Sequence, residues 1–519
     1  MNDVSRKITA MRRLLLASVM TSLALTALAG QSLAQPAPTD TLRIGLNEDG
    51  DALDPSTART FVGRIVFSGL CDKLFDINEK LEIVPQLATG FEYTDPKTLI
   101  VKLRAGVKFH DGTSMDAAAV KYSLERHVNF PGSARKAELS AMDQIEVVDP
   151  LTVKISLKAP SAPFVAQLTD RAGMIISPKA AEAAGKDFAL KPVCAGPFRF
   201  VERVAQDHIT LERFAEYWDA ASVHFARVIY LPIPDTSIKL TNLQAGSIDI
   251  AERMAATDVP AVKKDSKLDI VIFPSLGYES ININLGRGEK GKTPLGQNAL
   301  VRKAFELSID RAELMQVLNG GLFTPTVQAI PASSPFFNAN LKVPARDIAK
   351  AKALLAQAGV KLPVVIPLTV ANTPVQKQMG EVVQSMAAEA GFDVKVQAAE
   401  FASMLSAETN GDFVASGIGW SGRADPDGNL YSFAYTGAPL NNSGYSDKDV
   451  DSWLDQARTT TDIATRKALY AKITEKMATD LPILYLDSNA WVTAKTKKLS
   501  GFRPVADGMI RLQGMKLAR

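Results

Sequence analysis

Helix-period and strand-period patterns alternate through the second half of this chain, and they predict an α/β protein. Residues 347–358 place Ile348, Ala351, Leu354, Leu355 and Ala358 on one helical face, with Gly359 where a left-handed C-terminal residue is favoured. Residues 374–390 repeat the device with Val375, Met379, Val382, Val383 and Met386, and stop at Gly391. Phe392, Val394 and Val396 then alternate as a strand. With 519 residues, 22% charged and 46% hydrophobic, the chain supports sizeable cores and two to four structural units.

Residues 1–34 read as an export signal. Arg6, Lys7, Arg12 and Arg13 precede an apolar run over 14–28, and Ser32-Leu33-Ala34 makes a cleavage site before Gln35. The run is too short to span a bilayer comfortably. Four of the 59 basic and one of the 56 acidic residues lie in this segment, so the remainder is formally neutral. A nucleic-acid or anionic-membrane role therefore loses its electrostatic support. Cys71 and Cys194 would meet an oxidising compartment, where a disulfide and two buried free thiols are both open readings. Neither cysteine stands in a CxxC or Cys/His pattern, which argues against thiol redox and zinc chemistry.

In chain order, residues 41–46 read as a strand ending in the acidic loop Asn47-Glu48-Asp49-Gly50-Asp51. Residues 61–77 look helical, 91–93 and 99–103 look like strands, and 117–126 is a helix. Residues 268–284 read as two strands broken at Ser275-Leu276-Gly277. The stretch 418–429 joins an apolar run to a turn in which Trp420, Arg423, Asp425 and Asp427 crowd onto flexible backbone. Two amphipathic helices follow, one with Val450, Trp453, Leu454 and Ala457, the other with Leu469, Ile473 and Met477. Residues 482–486 close the series as an apolar strand. The four histidines show no HxxxH or HExxH spacing, and there is no GxSxG, so neither a metal site nor a hydrolase is expected.

Five blocks carry a resemblance. LRAGVKFHDGTSMDAAAVKYSLER (103–126) is the most recognisable. It is followed by Cys194-Ala195-Gly196-Pro197-Phe198, then by Leu211-Glu212-Arg213-Phe214 with Tyr217-Trp218. Next come Leu243-Gln244-Ala245-Gly246-Ser247-Ile248-Asp249-Ile250, and finally residues 441–445 with Val450-Asp451 and Ala457-Arg458. In this order they resemble the peptide-type (family 5) solute-binding proteins of bacterial ABC importers, over essentially the whole chain after the signal.

The resemblance implies a two-lobed periplasmic-binding-protein clamshell (type II-like) with an additional subdomain in the N-terminal lobe. Lobe I would span 35–276 with the subdomain at about 62–190, lobe II 277–486, and 487–519 would return to lobe I. It implies a periplasmic monomer, without enzyme activity or cofactor, that passes a short peptide or peptide-like solute to a membrane ABC permease. An opine, a glutathione-like conjugate or a metal chelate is the alternative cargo. By resemblance, His110 and Asp111 belong to a turn of the first lobe. The implied ligand contacts are Asp49, Gly50, Glu252, Arg253, Tyr278, Glu279, Trp420, Ser421 and Tyr485. In peptide-binding members the third residue after the tryptophan is an aspartate that pairs with the peptide's α-ammonium. Here it is Arg423, which repels an ammonium and invites a carboxylate. The expectation is that Arg423 holds a ligand anion or pairs with Asp425, with Asp425 free to take the amine.

Overall fold

The computed structural model describes residues 40–518. The expected export signal and its cleavage site at Ala34 lie outside the described residues. Leu42, Ile44 and Leu46 are buried along the strand Thr41–Leu46, which sits near the middle of a seven-stranded sheet. The order in that sheet is Leu268–Pro274, Ala490–Thr496, Ile250–Ala251, Thr41–Leu46, Arg227–Pro232, His208–Arg213, Phe198–Val204. Its core includes Ile44, Val66, Phe67, Leu211 and Tyr230, with the helix Phe61–Leu70 packed on it.

A second sheet of six strands runs Thr324–Pro325, Ile483–Ser488, Tyr278–Ile283, Ala415–Trp420, Val364–Ala371, Phe392–Ala399. Helices cover both faces. Pro374–Ala388 buries Met379 and Val383 on one side, while Lys448–Thr459 and Ile463–Asp480 bury Val450, Leu454, Ile473 and Met477 on the other. Side-chain caps open these helices: Thr373, Asp447 and Asp462 each accept a backbone N–H of the first turn.

A third, four-stranded antiparallel sheet is inserted into the first lobe, in the order Ala88–Asp95, Thr98–Leu103, Thr152–Leu157, Met142–Asp149. Its core runs from Leu74 to Ile175, with Ala195 added, and the helix Ala117–Asn129 lies on it. The helix Phe61–Leu70 belongs instead to the first sheet's core, so the inserted unit starts later than the expected position 62. The expected helix over 61–77 also stops short. Cys71 is extended and disulfide-bonded to Cys194 at a Cα–Cα distance of 4.9 Å, and the buried Asp72 carboxylate accepts from Tyr217 and Trp218.

The chain passes between the two large sheets twice. The first crossing is Ser275-Leu276-Gly277. The second is the single residue Asn489, because the strand expected to end at 486 runs on to Ser488. The crossings lie side by side: Ser275 N–H donates to the Asn489 carbonyl at 3.2 Å, and Gly277 N–H donates to Ser275 Oγ at 2.8 Å. A Cβ on Gly277 would lie 1.9 Å from the Trp420 carbonyl, so only glycine lets the tryptophan turn close over the hinge.

Candidate functional site

A cavity of about 390 Å³ lies between the lobes and takes its walls from both, a size within the usual range for small-molecule sites. Each lobe contributes an aromatic pair. Phe61 stacks on Trp491 at 4.5 Å in lobe I, and Trp420 meets Phe433 edge-on at 4.8 Å in lobe II. Both indoles are fixed by their N–H groups, Trp491 donating to the Ala506 carbonyl at 2.8 Å and Trp420 to Asn429 Oδ1 at 3.0 Å.

The polar groups divide by lobe. Lobe I brings Arg59, Arg135, Arg171 and Arg253 to the wall. Arg253 is committed, 2.7 Å from Glu48 and 2.8 Å from Glu252, and its guanidinium lies over the Phe61 ring. Its φ of 45° is strained for a side-chain-bearing residue, as is the 62° of Gln206, which shares the wall. Arg59 makes no ion pair among the described residues. Its Nη1 donates to Thr409 Oγ1 of lobe II at 2.6 Å, and burial lowers its basicity despite nearby Glu408 and Asp51. Nε of Arg135 and of Arg171 are buried without a hydrogen bond, although the guanidiniums are ion-paired, Arg135 with Glu138 at 2.5 Å and Arg171 with Asp170 at 3.7 Å.

Lobe II brings unpartnered acceptors: Glu279 Oε1, Gln376 Oε1, Asn442 Oδ1 and Asp487 Oδ1. Burial pushes the Glu279 carboxyl up to about 7, with Gln376 and Arg253 only partly opposing it. Asp487 is held well above the carboxylate range by burial and by the charge of Glu279. Glu408, in contrast, receives Asn442 Nδ2 at 2.8 Å and the Ser416 hydroxyl.

Of the residues expected from sequence, Asp49, Arg253, Tyr278, Glu279, Trp420 and Ser421 line the cavity. The Asp49 carboxylate is already engaged by Arg203 and the Gln206 N–H, both at 3.0 Å. Five others sit behind the wall. Gly50 offers its carbonyl to Arg203, and Glu252 accepts the Asn47 N–H at 2.6 Å. Tyr485 is buried edge-on against Tyr278, 4.8 Å away. Arg423 and Asp425 correct the expectation most sharply. Arg423 does not face the cavity and does not pair with Asp425. Its Nε lies 2.8 Å from Asp170 of lobe I, and its guanidinium lies 4.5 Å over the Trp420 ring. Asp425 pairs with Arg466 at 2.8 Å and is not free to take an amine. In both cases a partner distant in sequence folds onto the charge.

Asp170 is the centre of that arrangement. It also lies 2.8 Å from Arg64, whose Nη1 donates to Ser421 Oγ at 3.0 Å. Burial alone would raise the Asp170 carboxyl, but Arg423, Arg64 and Arg171 outweigh it and hold it well below its usual range. Asp427 forms a second tie, receiving Arg458 at 2.6 Å and Gln167 of lobe I at 3.0 Å. Arg458 reaches on to Ser140 Oγ of the inserted unit at 3.0 Å. His110 and Asp111 are structural: Cys194 N–H donates to His110 Nδ1 at 3.3 Å, and Asp111 accepts the Ser177 hydroxyl at 2.7 Å. Among the described residues no group of three or more His, Cys, Asp or Glu is placed to hold a metal ion. The sequence reading missed Arg59, Phe61, Gln376, Asp487 and Trp491. The one local signal was an acid directly after the apolar run 482–486.

Residues 82–441 match the family described as bacterial extracellular solute-binding proteins, family 5 Middle. The chain belongs to this family. The glutathione-binding protein GsiB of Pectobacterium atrosepticum is 32% identical over 480 residues, 90% of this chain and 92% of that protein. Among solved structures, the periplasmic binding protein DppA of Helicobacter pylori in complex with the peptide STSA is similar, with 25% identity and a TM-score of 0.85 over 92% of this chain and 98% of that one. The binding protein AgaA of A. tumefaciens R10 in complex with agropinic acid shows 26% identity and a TM-score of 0.83 over 92% and 99%. The two-lobed architecture and the solute-binding class are thereby fixed. Proteins of this class bind small ligands outside the cytoplasm and work with ABC importers.

Proposed function

We propose that this protein captures a short peptide or peptide-like solute carrying both charges and delivers it, as a monomer in the periplasm, to an ABC permease. The observation that carries this reading is the division of the cavity wall, with donors and cations on lobe I and unpartnered acceptors on lobe II. A zwitterionic solute lying across the cleft satisfies both sides only when the lobes are closed, so binding and closure are one event. Closure also removes water, which strengthens each charge-assisted contact. The aromatic pairs supply the apolar walls between the poles. The glutathione and the peptide named for two of the relatives carry both charges and suit such a polarised cavity. Nothing in the wall calls for bond breaking, and the solute is released unchanged.

The test is a thermal-shift screen of di- to pentapeptides, glutathione and opines, preceded by native mass spectrometry of the purified protein. A solute at 100 times its dissociation constant adds roughly 2.7 kcal/mol of stability. At least one probe is expected to do so and to be recovered intact. No shift with any probe, or a shift accompanied by turnover, overturns the reading.

A further inference from the structure

Glu279 and Asp487 face each other on neighbouring antiparallel strands, where a bulge interrupts the register just beyond the pair. Cross-strand partners bring their side chains onto one face, and a bulge re-aims the strand locally, a device common beside binding sites. Asp487 is 3% exposed, and among the described residues its Oδ1 has no hydrogen-bond partner. Glu279 likewise has a buried oxygen without a partner, and both residues line the cavity. The cation whose charge reaches Glu279 is Arg253, already held by Glu48 and Glu252. Two carboxyls are thus buried together without a counter-cation, while every carboxylate of the neighbouring tryptophan turn has its own arginine. Burial of unpaired acids is costly and persists where something else completes the site. The carboxamide oxygens of Gln376 and Asn442 on the same lobe also lack donors, so the missing partner is one that donates several hydrogen bonds and carries positive charge.

We propose that Glu279 and Asp487 receive a primary ammonium group of the bound solute, at the hinge strands rather than at the tryptophan turn. This rests on the peptide-like reading above, and it names the pole of the cavity at which the amine lies. An ammonium presents three donors and one positive charge, which suits two facing carboxyls. The pair belongs to the strands that flank both crossings, so the group that fills it also bears on the hinge.

The experiment uses the full exported protein with glutathione and trialanine, each beside its N-acetylated form, read by isothermal titration calorimetry. The parent probe that binds is expected to lose at least tenfold in affinity when its amine is blocked. Asp487→Asn and Glu279→Gln are each expected to lose at least tenfold for that parent and little for the blocked form. The empty variants are expected to melt no lower than the unsubstituted protein, because each loses a buried unpaired acid. Equal binding of parent and blocked forms overturns the inference while leaving the peptide-like reading intact. Failure of every parent probe overturns both. Stabilisation by Ca²⁺ or Ni²⁺ alone, abolished by Asp487→Asn, overturns the ammonium assignment in favour of a metal, as does a lower melting point of the empty variants in favour of a structural role.

Discussion

The tryptophan turn 420–429 and the hinge strands Tyr278–Ile283 and Ile483–Ser488 touch one another and carry similar chemistry, but they use it in opposite ways. In the turn each charge has a partner: Arg423 with Asp170, Asp425 with Arg466, Asp427 with Arg458. On the hinge strands Glu279 and Asp487 make no ion pair among the described residues and each buries an oxygen without a hydrogen bond, as Tyr485 does its hydroxyl. A charge that the protein already satisfies holds the frame, and one it leaves unsatisfied is open to a solute. Sequence position points at the turn, because that is where charges, glycines and an aromatic are dense. Residue density, however, says nothing about which charges are consumed by the fold.

The contrast is broken most forcefully at Asp170. Asp170→Asn leaves Arg64, Arg171 and Arg423 buried without their shared counter-charge, and is expected to cost about 3–5 kcal/mol. The shift of the urea unfolding midpoint measures it, and a loss below about 1 kcal/mol would show that the turn is not the frame described here.

At the hinge strands the sign reverses. Glu279 titrates at about 7 in the folded protein against an ordinary value near 4.5. Between those values the folded state keeps a proton that the unfolded chain has released, so this residue's contribution falls as pH rises through the window. Above pH 7 its cost is fully present, roughly 1–3 kcal/mol once partial exposure is allowed for. Glu279→Gln is therefore expected to be more stable than the unsubstituted empty protein at pH 8 and about equal at pH 4. Parallel melting curves at every pH would contradict it.

The smallest effect sharpens the same point. Tyr485→Phe removes a buried hydroxyl with no partner, and the expected change is within about 0.5 kcal/mol or slightly stabilising. A large loss measured by calorimetry would mean that the hydroxyl is paired in solution.

The periodic parts of the fold were legible. Ile348–Ala358, capped by Asp347 and ended by left-handed Gly359, follows from local propensity, and so does the strand break at residues 275–277. Where tertiary partners override local pattern the sequence misled. The apolar run after Phe61 reads through to residue 77, but a disulfide and the ties to Asp72 turn the chain at Cys71. The site was half visible. The family resemblance, rather than local pattern, named Tyr278, Glu279, Trp420 and Ser421 as contacts, and these four line the cavity. Arg423 was misread because its partner, Asp170, lies in the other lobe. Asp487 was passed over because a terminal acid reads as the end of a strand.

The two crossings also impose an order of manufacture. The strand Ala490–Thr496 lies between Leu268–Pro274 and Ile250–Ala251 and bonds to both. All six strands of the second sheet are synthesised before it. The first sheet therefore keeps an open gap beside its central strands until the chain is almost finished, although most of its residues emerge first. The leading half of the chain is thus locked shut by a strand made after the whole of the second sheet.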